Sequence, residues 1–176
     1  KMEGESKLIN KFYPWTIDVD TNATKKLYQE RNFATDQTAN QHFLESITEK
    51  QKAFFDMLGV DIMRVKADEK QWDLSADEES EYNGELYRLA VDFLMVGSFV
   101  AIPDYQKDLY GDDEMFGKSL PKAIEIVQME DDNLPTYELD NMNIVFKHPC
   151  FHFEEPEFQE WDCGYVLGTI LIFKDC

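Results

Sequence analysis

Apolar positions in the first third of the chain follow helical spacing. Phe43, Ile47, Phe54 and Leu58 fall on one face, with Leu44 and Phe55 beside it. Thr38 with Gln41 and Thr48 with Gln51 both match a capping box, so the spacing predicts two helices broken near Thr48. Gly59 is the expected stop, because the left-handed cap conformation suits glycine. An earlier helix is expected from Thr21 or Asn22 through Ala34, carrying Leu27, Tyr28 and Phe33. Ile17 and Val19 alternate as in a short strand, and Val60, Ile62 and the residues 63–65 read as another. The longest predicted helix covers 76–96. Ser75 and Glu78 open it as a capping box, and Tyr82, Leu86, Leu89, Ala90, Phe93 and Val96 line one face. Gly97 is its expected end. Beyond it, 104–117 reads as a loop, and 119–128 fits a short helix or a strand equally well.

The last third reads as sheet. Residues 142–153 and 164–174 are rich in Val, Ile, Phe and Tyr, and an acidic connector over 154–162 joins them as a hairpin with a long loop. Helices dominate 21–97 and strands dominate 142–174. The order points to an α+β fold, with N-terminal and central helices packed against a C-terminal antiparallel sheet. A length of 176 residues fits a single domain over 1–176. The 43% hydrophobic content exceeds that of a disordered acidic tail, and the apolar run 93–102 is half of what a membrane helix needs.

Charge changes the picture most. The chain carries 36 acids and 17 bases, a formal net charge of −19. Acids and bases balance at 10 each over 1–67, whereas 68–162 holds 25 acids against 6 bases. Such a chain disfavours direct contact with nucleic acid or an anionic membrane, and favours fast capture of a cationic partner. Three cysteines, Cys150, Cys163 and Cys176, do not make a disulfide framework. Met2 precedes Glu3, Gly4 and Glu5 with no apolar leader, so a cytoplasmic location with reduced thiols is expected.

Three acidic stretches are candidate partner-binding sites. The first is the connector, with Glu154, Glu155, Glu157 and Glu160 set among Phe158 and Trp161; aromatic anchors ringed by charge are what protein interfaces use. The others are Asp112, Asp113 and Glu114 within 110–116, and Asp131 and Asp132 after Glu130. Neither has the ligand spacing of a calcium loop. His148, Cys150 and His152 at alternate positions, with Cys163 across the hairpin, form a conceivable zinc cluster. Pro149 disturbs that strand and the spacing matches no usual zinc loop, so no metal or other cofactor is expected. Gly-rich phosphate loops, nucleophile elbows and paired zinc-binding histidines are all missing from the sequence. The chain is therefore not expected to be an enzyme.

A small acidic α+β chain without a catalytic signature, carrying acid-plus-aromatic patches at 110–116 and 154–162, resembles bacterial immunity proteins. That class neutralises the toxin domains of contact-dependent growth inhibition and other polymorphic toxin systems. The resemblance implies one-to-one binding to a basic toxin domain, often an RNase or DNase, with carboxylates standing where the toxin holds phosphate. A nucleic-acid mimic that inhibits a host or phage nucleic-acid-binding protein is the alternative, and it calls for carboxylates in rows spaced like phosphates.

Overall fold

The computed structural model describes residues 7–73, 85–102, 136–160 and 163–175. The expected loop over 104–117, the element over 119–128 and the first part of the helix expected from residue 76 lie outside these residues. Strands β1 (Lys7–Phe12) and β2 (Trp15–Asp20) come first, then helices α1 (Thr21–Glu30), α2 (Gln37–Ser46) and α3 (Glu49–Leu58). Strands β3 (Lys66–Asp73), β4 (Glu85–Ala101), β5 (Tyr137–Leu139), β6 (Met142–Lys147) and β7 (Tyr165–Asp175) follow. The fold is mixed α+β, and all pairings among the described strands are antiparallel.

The helix break at Thr48 is present. Thr48 Oγ1 accepts from Gln51 N at 3.1 Å and Gln51 Oε1 accepts from Thr48 N at 2.8 Å, a complete capping box. Asp36, not Thr38, caps α2, by accepting from Ala39 N at 3.1 Å. Gly59 ends α3 at φ +85°, and a Cβ there would stand 2.5 Å from the Thr21 carbonyl oxygen. The first helix stops at Glu30, four residues before the expected end, with Arg31 as its cap. Residues 62–65 make a turn rather than a strand.

The main correction concerns the long helix expected over 76–96. From Glu85 onward this segment is β4, a strand of 17 residues. Its apolar run is nearly continuous, so it satisfies helical spacing and period-two alternation together. Alternation wins because both edges of the strand find partners. Leu89, Val91, Phe93 and Met95 all point into the core, none more than 1% exposed. Gly97 does not end a helix; it pairs with Val19 where β2 comes so close that a Cβ would collide with the Asp18 carbonyl. Strands are thus spread along the chain, and the sheet is not confined to its C-terminal part.

The sheet runs in the order β1-β2-β4-β7-β6-β5, with β3 also paired to β4. On one edge β4 carries β3 along its first half and β2 near its end; β7 covers the other edge. A gap on β4 separates Asp92, the last residue paired with β3, from Gly97, the first paired with β2. Helix α1 fills it. Tyr28 Oη donates to Leu94 O at 2.7 Å and accepts from Leu94 N at 2.9 Å, and Thr24 Oγ1 accepts from Val96 N at 3.0 Å. Two helix side chains thereby replace a missing strand.

The sheet curls until its outermost strands, β1 and β5, approach each other. Phe12 and Tyr137 stand 5.2 Å apart between ring centroids, and Phe54 of α3 packs on both. Gln51 Nε2 donates to Leu139 O at 3.0 Å and Asp140 O at 2.8 Å, so α3 closes this seam with hydrogen bonds as well as rings. Inside lie Trp15, Phe43, Phe55, Phe93 and Phe146, all fully buried. Among the described residues, no helix is long and apolar enough to cross a membrane.

Candidate functional site

The connector between β6 and β7 presents the acidic surface, and its local chemistry explains its shape. His148 caps a turn of 3-10 helix over Pro149–Phe151, its Nδ1 accepting from Cys150 N at 3.1 Å. With that nitrogen's lone pair engaged, the ring proton of the neutral imidazole sits on Nε2, which lies 2.5 Å from Glu160 O. A second 3-10 turn covers Pro156–Phe158. Gln159 Nε2 then ties back to Phe153 O at 2.9 Å. Polar contacts therefore fix the connector at both ends, and proline begins both turns.

Phe158 corrects the sequence reading. The expectation makes this ring an exposed anchor for a partner. Instead it is fully buried, edge-on to Phe153 at 5.5 Å and to Tyr165 at 5.0 Å. Burying a phenylalanine stabilises a fold by about 1.5–3 kcal/mol, so the ring goes inward where apolar neighbours stand within reach. The anchor serves the loop. Glu154, Glu155, Glu157 and Glu160 remain exposed.

Arg31, at the end of α1, reaches this surface from 126 positions away. Its Nη1 lies 2.7 Å from Glu157 Oε1 and its Nη2 3.7 Å from Glu155 Oε2. The guanidinium stands over the rings of Phe33 and Phe158, 4.8 and 5.6 Å from their centroids. Two of the four glutamates are therefore matched by a cation of the protein itself, while Glu154 and Glu160 flank the pair.

Trp161 lies outside the described residues, as do Asp112, Asp113 and Glu114 and the pair Asp131 and Asp132. Of the four residues of the conceivable zinc cluster, His148 and Cys163 stand side by side. Cys163 Sγ is 3.8 Å from His148 Nε2, but residues 149–151 form a 3-10 turn instead of an extended strand. The turn removes the alternation that would aim 148, 150 and 152 together. Cys150 is buried, and His152 Nδ1 lies 2.8 Å from Asp92 Oδ2, whose other oxygen accepts from Thr169 Oγ1. Among the described residues no three His, Cys, Asp or Glu side chains are grouped to hold a metal ion.

Sequence reasoning missed a cleft of about 560 Å³ between α1, α3 and the turn after α3. Lys25, Lys52 and Arg64 line it together with Asp56 and Asp61. Much of its positive charge is already engaged: Arg64 Nη1 donates to Tyr28 O at 2.9 Å and its Nε stands 3.8 Å from Asp61, and Lys52 Nζ donates to Glu49 at 3.2 Å. The cleft joins residues from the charge-balanced first third, where charge counting gives no signal.

No family model, no curated protein and no solved structure matches this chain.

Proposed function

We propose that the protein is an immunity protein, which binds a cationic toxin domain, an RNase or other nuclease, one to one and covers its active site. One observation carries the reading. The connector holds Glu154, Glu155, Glu157 and Glu160 outward on a short loop fixed from within by Phe158, Gln159 and His148. A carboxylate array that is ordered before binding loses little conformational entropy on contact, so more of its attraction for lysine and arginine appears as affinity. The excess of 36 acids over 17 bases supplies the long-range field that guides a basic partner in. Phosphate recognition by a nuclease and carboxylate recognition by the same cationic surface use the same donors, which is how such an inhibitor would exclude substrate. In this reading the protein acts in the cytoplasm, uses no cofactor and performs no chemistry.

The test is capture followed by kinetics. The immobilised full chain is exposed to lysate of its native host, and the captured protein, identified by mass spectrometry, is expected to carry a basic nuclease domain whose activity the chain abolishes. Against that domain, the triple variant Glu154→Gln, Glu155→Gln, Glu157→Gln should lower kon about three- to tenfold at low salt and flatten its salt dependence. An unchanged kon across the salt series, or a captured domain that stays fully active when bound, rejects the reading.

A further inference from the structure

A second charged constellation joins α2 to the paired strands β3 and β4 and goes beyond that reading. His42 on α2 places Nδ1 2.7 Å from Glu69 Oε1 on β3, and Tyr87 Oη on β4 donates to the same oxygen at 2.7 Å. Helix α2 packs on β3, and a groove of about 330 Å³ there is lined by His42, Glu45, Ser46, Tyr87 and Leu89. We propose that His42 is a pH-dependent latch: its protonated imidazole ties α2 to β3 through Glu69, and the tie slackens as the imidazole loses its proton.

The groups facing the imidazole favour its charged form. Glu69 comes from β3, Glu45 from the next turn of α2 and Asp36 from its N-cap; Tyr87 from β4 donates its hydroxyl to the Glu69 carboxylate. Hydrogen bonding to Glu69 is the main cause that raises the His42 pKa above 6.5; the charge of Glu69 adds to it, and Glu45 and Asp36 contribute less. The sign follows from linkage. Below the ordinary histidine range the imidazole is protonated both folded and unfolded, and the pair contributes fully. As pH climbs from about 6.5 through the raised folded value, that contribution is lost. Neutral His42 can still donate Nδ1–H to the Glu69 carboxylate, but the attraction between two opposite charges is gone, so the tie is weaker. Tyr87 shares the accepting oxygen and limits how strongly the carboxylate holds the imidazole.

The experiment follows the His42 ring by NMR titration and the protection of α2 amides by hydrogen exchange, corrected for the intrinsic pH dependence of exchange. In the unmodified protein, His42 is expected to titrate above the ordinary histidine value, with α2 protection falling about two- to fivefold through the same midpoint, as suits an exposed pair. Glu69→Gln should lower the midpoint and abolish the protection step. Tyr87→Phe leaves the oxygen to His42 alone and should move midpoint and step upward together. Protection that stays flat across the His42 midpoint, or a step that persists in Glu69→Gln, overturns the latch. If Glu69→Gln does not fold, a step left unmoved in Tyr87→Phe overturns it instead.

Discussion

Two helices complete the sheet, and they do so in different surroundings. At the gap on β4, Tyr28 and Thr24 of α1 serve the backbone of Leu94 and Val96, and both side chains are at most 2% exposed. At the seam between β1 and β5, Gln51 of α3 serves the carbonyls of Leu139, which is buried, and Asp140, which is exposed. A backbone group inside the protein has no other partner, so losing its hydrogen bond costs the whole desolvation penalty. A group at the rim has water as a substitute. Similar bonds therefore carry unequal weight.

The largest expected effect tests the buried side. Tyr28→Phe strands both polar groups of Leu94 and should destabilise the protein by about 2–4 kcal/mol in urea denaturation. Burial pushes the Tyr28 hydroxyl far above its ordinary pKa of 10.0. Above about pH 10 the unfolded chain ionises this residue while the native one does not, so native stability falls with pH there. Replacing Tyr28 by Phe should remove that part of the alkaline loss. At the seam, Gln51→Leu should cost about 1–2 kcal/mol, because of the two carbonyls it serves only that of Leu139 loses a fully buried bond. A cost equal to that of Tyr28→Phe would erase the contrast between interior and rim. The smallest effect sharpens it: Thr24→Ser keeps the hydroxyl that accepts from Val96 N and should cost only about 0.8 kcal/mol for the lost methyl group.

Much of the helical region was legible in the sequence. The break at Thr48, the stop at Gly59 and the strand around Ile17 and Val19 all depend on neighbours within a few positions. The hairpin of β6 and β7 was also readable, because its two apolar runs sit on either side of one polar stretch. Strand β4 was not. Leu89, Ala90, Phe93 and Val96 satisfy a helical face equally well, and only partners far along the chain decide between the periods. The connector shows the same division. Its acids are plain from composition, yet the inward turn of Phe158 depends on Phe153 and Tyr165, and Arg31 arrives from another element altogether. Local chemistry is visible in one sequence; the choice between two local solutions belongs to distant contacts.

The two-edged pairing of β4 bears on how the chain is made. On a ribosome, β2 and β3 are available when β4 emerges, but β7 is synthesised some 70 residues later. Until then the stretch 86–96 offers a bare row of amide and carbonyl groups, flanked by Val91, Phe93 and Met95, to any other nascent chain. Products truncated before residue 165 would keep that template permanently, so early termination or proteolysis should yield aggregates sooner than small stable fragments.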